Sequence, residues 1–173
     1  MKKFFTFSGT INGKTFLLRT LFIIVMCIPL IIATITKWTT YFMSLSEFDI
    51  SDPSVENQIQ IQKFGDELAL KIAENPEFYL NDFMNSFSAI WILVFIVCIV
   101  PIIWFGLANY YKRISALFYE QRNNVFFAVV AYDVISDILI LKYNTGSFIL
   151  GSISTLIFVY LIVANSKIES HSG

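Results

Sequence analysis

Residues 89–108 read AIWILVFIVCIVPIIWFGLA, and no charged residue occurs anywhere in the wider stretch 83–111. A run of this length and oiliness matches the roughly 20 residues an α-helix needs to cross a hydrocarbon core of about 30 Å. Trp91, Trp104, Tyr110 and Tyr111 suit the aromatic belts where a span meets its two interfaces. The span is assigned to residues 88–108. The rest of the chain agrees with a membrane setting. Of its 173 residues 56% are hydrophobic, 18 of them Phe, and only 14% are charged, against about 45–50% and 25% in soluble domains. A soluble protein so apolar could not cover its own surface, whereas lipid can. The length suits one domain, and the net charge of -1 gives no reason to expect nucleic acid as a partner. Cys27 and Cys98 lie in apolar runs without a CxxC pair and read as small buried hydrophobes.

Three further segments are long enough to be considered. The first, residues 16–36, is interrupted only by Arg19 near its start, where a long side chain can snorkel to the headgroups. Pro29 should kink it, which neighbouring helices tolerate in a membrane. A cleaved signal peptide competes for this stretch, but Lys14 and Arg19 make its basic region unusually long and no A-x-A site follows Ile35, so a retained span is expected. The third, residues 125–141, carries Asp133 and Asp137, each costing about 2.5–3.5 kcal/mol at a helix centre. The fourth, residues 147–164, lies in an uncharged run and holds Ser147, Gly151 and Thr155 at i, i+4 and i+8, a small-residue stripe suited to close helix packing. A short turn, Lys142-Tyr143-Asn144-Thr145-Gly146, should make the third and fourth an antiparallel hairpin, with Gly146 a helix terminator. The expected fold is all-α: a membrane four-helix bundle forming a single domain over residues 1–173, with a partly helical extramembrane loop between its first two spans.

Charge sets the expected orientation. The N-terminal flank carries Lys2, Lys3, Lys14 and Arg19 with no acid, and the basic loop 109–124 carries Lys112, Arg113 and Arg122 against Glu120. Between them the loop 37–87 has Lys37, Lys63 and Lys71 against Glu47, Asp49, Asp52, Glu56, Asp66, Glu67, Glu74, Glu77 and Asp82. Lysine and arginine favour the cytoplasmic face. Both ends, the tail 165–173 with Lys167 included, are therefore expected in the cytoplasm and the acidic loop outside.

The acidic loop has helical content of its own. Ser51-Asp52-Pro53 offers an N-cap with proline near N1. Asn75-Pro76 ends the helix begun there and caps a second one that could run into the 88–108 span. Ile61, Phe64, Leu68 and Ile72 recur at helical spacing, with Gly65 a weak point worth about 1 kcal/mol. That apolar stripe is either a docking surface for a partner or a face packed on the membrane or its own bundle.

The opening Phe4-Phe5-Thr6-Phe7-Ser8-Gly9-Thr10-Ile11-Asn12-Gly13-Lys14-Thr15-Phe16 resembles the start of the bacterial inner-membrane family called domain of unknown function 805. Members of that family begin with an aromatic and then F-x-G-R-I-x-R-x-x-[FY] just before the first span. Phe7, Gly9, Ile11 and Phe16 match, while Thr10 and Gly13 replace the two arginines. The family's second mark is R-R-L-H-D after the second span; Lys112-Arg113-Ile114 stands there, with Ser115 and Ala116 in place of His-Asp. The resemblance implies a multi-pass protein of the bacterial inner (plasma) membrane and no established reaction, and any activity carried by His-Asp would be missing here. Independently, Gly9 and Gly13 with Phe4, Phe5, Phe7, Ile11 and Phe16 read as an interfacial segment, residues 1–15, that anchors the first helix.

The sequence holds no HExxH, Gly-rich phosphate loop or nucleophile elbow, and its lone His171 sits in a polar tail. No catalytic residue, metal ligand or cofactor is expected. Asp133 and Asp137 are the candidates for chemistry: at i, i+4 they share a helix face, and intramembrane acids are functional candidates by default. Together they could share a proton; alternatively they lie in headgroup water at an interface or form a static salt bridge, with Lys112, Arg113 or Arg122 as partner. The expected function is that of a non-enzymatic membrane scaffold or subunit, contacting lipid and other membrane proteins or copies of itself. The alternative is a small transporter or channel component handling protons or ions through Asp133 and Asp137. A holin-like role in membrane permeabilisation fits less well, because the outer loop is larger than lysis needs.

Overall fold

The computed structural model describes residues 2–46, 54–142 and 147–166. Among them the fold is all-α, with no strand: α1 Lys2–Phe5, α2 Gly13–Met26, α3 Ile28–Leu45, α4 Val55–Glu74, α5 Pro76–Asn85, α6 Ala89–Leu117, α7 Arg122–Lys142 and α8 Ser147–Val163. Three stretches are long and apolar enough to cross a membrane: Gly13–Leu45, α6 and α7. Only 11%, 6% and 11% of their most apolar windows are buried within the chain, so these faces are turned outward, as lipid requires and water would not permit. α8, with 17 residues, is about 25 Å long, at the lower limit for crossing.

The chain divides into two compact units. One comprises Met1–Met26 with Val100–Gly173, the other Cys27–Ile99. In the first unit α2 runs antiparallel to α6. Phe16 meets Tyr110 edge to face and Phe22 meets Phe105 a turn and a half further along. α7 and α8 form an antiparallel pair through Tyr132 on the Leu150 carbonyl and Ser154 on Asp133. The expected hairpin is thus seen in its helices, whereas its turn and Gly146 lie outside the described residues. The core is concentrated at one end of this unit, where Ile11, Phe16, Ile114, Leu117, Phe126 and Leu161 pack together. The start of α2, the end of α6, the start of α7 and the end of α8 all meet there.

In the second unit α3 packs on α5. Trp38 stacks on Phe83 with 4.2 Å between ring centroids, and the Tyr41 hydroxyl donates to Asp82 Oδ2 at 2.9 Å. Ile61, Phe64, Leu68 and Ile72 of α4 line a cavity of about 470 Å³ together with Thr39, Phe42, Met43 and Ser46 at the α3 end. The stripe is thus half-buried on the α3 side, with Leu68 its buried member.

Several expected boundaries shift, each for a local reason. The first helix starts at Gly13 rather than 16, because Asn12 caps it by accepting from the Thr15 N–H. The helical run Gly13–Leu45 breaks at Cys27, two residues before Pro29. α2 ends at Met26, and Pro29 falls in the first turn of α3, where its missing N–H has no intrahelical partner to lose. The loop does not begin at Lys37, since α3 runs on to Leu45. Lys37 is only 5% exposed: its Nζ donates to the Ser86 carbonyl at 2.8 Å and lies 4.9 Å from the Phe87 ring centre, an aromatic seat that compensates its burial. α4 is capped by Ser54, whose side chain accepts from the Asn57 N–H; Ser51-Asp52-Pro53 lie outside the described residues. α5 does begin at Asn75-Pro76, but it stops at Asn85 and does not continue into α6. The Ser86 hydroxyl turns back onto the Phe83 carbonyl at the break.

Candidate functional site

Among the described residues the last turns of α6 are the most continuously buried stretch, and they carry several buried polar groups. Residues 109–117 were expected in a cytoplasmic loop. Instead they continue the helix, because neither glycine nor proline interrupts them, and the loop shrinks to residues 118–121. Lys112 and Arg113 are both 0% exposed. Their assignment to an open basic loop is therefore corrected; of the three residues named for it, only Arg122 lies beside the turn, as the first residue of α7, 5.0 Å from the ring centre of Tyr119.

Among the described residues, the partners of Arg113 are neutral oxygens. Its Nη1 donates to the Ile11 carbonyl at 3.2 Å and to Ser166 Oγ at 2.7 Å. Its Nε and Nη2 donate to the Leu161 and Ala164 carbonyls. The last carbonyls of a helix lack intrahelical partners and carry the negative end of its dipole. A guanidinium fork at the end of α8 satisfies both needs and reaches the N-terminal segment as well. Gly13 makes this approach possible, since a Cβ at that position would run into the Ile162 carbonyl. Gly9 turns the segment with φ 85, a left-handed conformation that glycine adopts without steric penalty.

Asn109, one turn earlier, donates to the Phe16 carbonyl at 3.3 Å and to Thr20 Oγ1 at 3.4 Å. Its Oδ1, the Ser115 hydroxyl and Arg19 Nη1 are buried side-chain atoms without a hydrogen-bond partner. Lys112 lies within electrostatic reach of Arg19. Three cations and an amide thus share one end of the unit, with aromatic cover from Phe7, which meets Trp104, Tyr111 and Phe126 edge to face.

The acid pair named from the sequence is divided by its surroundings. Asp133 is half-buried and accepts from Ser154 Oγ at 3.2 Å, while Asp137 is exposed, although the two carboxylates share a helix face. Ser136, beside them, is 2% exposed and donates to the Asp133 carbonyl. In the small-residue stripe that starts at Ser147, a Cβ added at Gly151 would meet nothing within 4 Å, and Thr155 is exposed with its hydroxyl on the Gly151 carbonyl. Cys27 and Cys98 are free thiols, and the described residues contain no group of metal-binding side chains.

Sequence reasoning missed Asn109 and the burial around it. The signal was present: Asn109, Lys112, Arg113 and Ala116 fall at i, i+3, i+4 and i+7, one face of a helix that nothing in the sequence terminates. Comparison of the chain with protein families, with curated proteins and with solved structures finds no match.

Proposed function

We propose that this chain is a non-enzymatic, multi-pass scaffold or subunit of a membrane assembly. The observation that carries this reading is the use made of Arg113. The strongest polar group in the buried site spends its donors on the backbone of separate segments at the two ends of the chain, which is the work of a clamp. Outside that clamp the unit presents unpartnered apolar faces: Ile135 and Ile138 on α7, Phe148 and Leu156 on α8. These suit contact with lipid, with other membrane proteins or with further copies of the chain.

The setting proposed is the bacterial inner membrane, with four crossings and both termini cytoplasmic. Basic flanks support the orientation, and the meeting of four helix ends at one end of the first unit is what two antiparallel pairs of crossings require. The resemblance to domain of unknown function 805 remains part of this proposal. Its two marks come together at that end of the unit, with Ile11, Phe16 and Ile114 in one core cluster and Arg113 donating to the Ile11 carbonyl.

Photo-crosslinking amino acids at Ile135, Phe148 and Leu156 in the native membrane test the assembly reading. A discrete protein adduct at one face is expected; lipid adducts alone at every position would overturn it. Proton or ion handling is the second reading, favoured by the half-buried Asp133 held by Ser154. It requires that Asp133→Asn with Asp137→Asn lower flux in liposomes, and it fails if flux is unchanged or absent in both forms.

A further inference from the structure

A second feature of the first unit is left unused by the clamp. Arg19 is only 9% exposed, its Nη1 has no hydrogen-bond partner, and the ring of Phe4 lies 4.7 Å from its guanidinium carbon. A single cation–π contact falls well short of what a buried cation loses in leaving water. Arg19 also lines an apolar groove of about 740 Å³, formed with Phe5, Leu18, Phe22, Met26 and Phe105. That volume is within the range of about 300–1,000 Å³ typical of small-molecule sites, which combine apolar walls with a few polar anchors.

We propose that this groove binds one anionic phospholipid of the bilayer, its phosphate on Arg19 and one acyl chain along Leu18, Phe22 and Met26. The charge of the occupant is set by Arg19, a desolvated cation whose fork matches two phosphate oxygens. Its length and oiliness are set by the walls: Thr15, Leu18, Arg19, Phe22 and Met26 fall along one stripe of α2, leading from the charged start of the span into its apolar body. The depth is right for a molecule whose head is acidic and whose tail is alkyl, since α2 begins at the basic flank where headgroups lie. Phe4 and Phe5 form the cover. The Phe5 carbonyl is held by Trp104 Nε1 at 2.7 Å, and its ring packs on Phe105, so the short helix α1 sits over the groove and Phe4 moves off Arg19 as the phosphate arrives.

The test uses the full chain in nanodiscs of phosphatidylcholine with phosphatidylglycerol, read by native mass spectrometry after mild detergent release. The wild-type protein is expected to keep one phosphatidylglycerol in preference to phosphatidylcholine. Arg19→Gln should reduce retention about tenfold, the loss of one charge-assisted contact, while Arg122→Gln should leave it unchanged. If Arg19→Gln does not fold, Leu18→Trp fills the acyl track with the cation intact and should lower retention by a similar factor. Equal retention of the two lipids, undiminished retention in both variants, or full displacement of the phospholipid by an equimolar free fatty acid would each overturn the assignment.

Discussion

Arg113 is the residue on which the first unit turns, and its replacement should be felt about as much as an apolar truncation in the adjoining core. Arg113→Ala strands three buried carbonyls, each worth about 1–3 kcal/mol if left unsatisfied, but it also removes a cation whose desolvation was unfavourable. The net loss expected is therefore about 2–4 kcal/mol, measurable as reduced resistance to unfolding by sodium dodecyl sulfate in mixed micelles. Arg113→Lys should fall between the two, because an ammonium keeps the charge and cannot span four acceptors with one rigid fork. Gly13→Ala should cost about 1–3 kcal/mol, since the added methyl meets the Ile162 backbone rather than a side chain that could move. At this scale the sequence was only partly legible. Lys112 and Arg113 stood out as charges, but charge alone suggests water. The burial of Arg113 depends on oxygens at Ile11, Leu161 and Ala164, about 50 and 100 residues away, a separation that no local pattern encodes.

The helices themselves were better announced. α6 follows from its unbroken apolar run, and α5 from Asn75-Pro76. α4 also follows, although its cap sits at Ser54 rather than in the Ser51-Asp52-Pro53 motif. What remained hidden was where helices continue past a charge. Lys37 and Lys112 looked like ends of spans, yet each is carried inside its helix, the first by aromatic rings and the second by the packing of the bundle end. In α4, Gly65 has open space around its α-carbon, so Gly65→Ala should raise stability by about 0.5–1 kcal/mol through helix propensity. The opposite signs expected at Gly13 and Gly65 make a paired measurement, with thermal unfolding in one detergent reading both. In α3, Tyr41→Phe removes the hydroxyl that donates to Asp82 and should lower stability by about 1–2 kcal/mol, as expected for a hydrogen bond to a carboxylate.

For the molecule as a whole, composition spoke early and plainly: the long helices turn apolar faces outward, as a chain with 56% hydrophobic residues must. Sidedness is the property that a labelling experiment can read directly. Single cysteines at Ser8 and Glu120, in a background free of Cys27 and Cys98, should react with an impermeant maleimide only after the cytoplasmic face is opened. One at Gln62 should react in intact cells. A cysteine at Ser115 should stay unlabelled from both sides, because that side chain is buried, whereas an open loop there would label readily. Labelling of Ser8 and Glu120 from opposite faces would contradict the fourfold crossing.

The acceptors of Arg113 also impose an order in time. Leu161, Ala164 and Ser166 are synthesised almost fifty residues after the arginine they receive. While the ribosome works through that interval, a bare guanidinium waits beside the bilayer with only the Ile11 carbonyl to meet it. The first unit therefore closes late, once its final helix is delivered. Translation arrested before Leu161 should yield a nascent chain that is inserted but unlatched, and that quality-control proteases can attack.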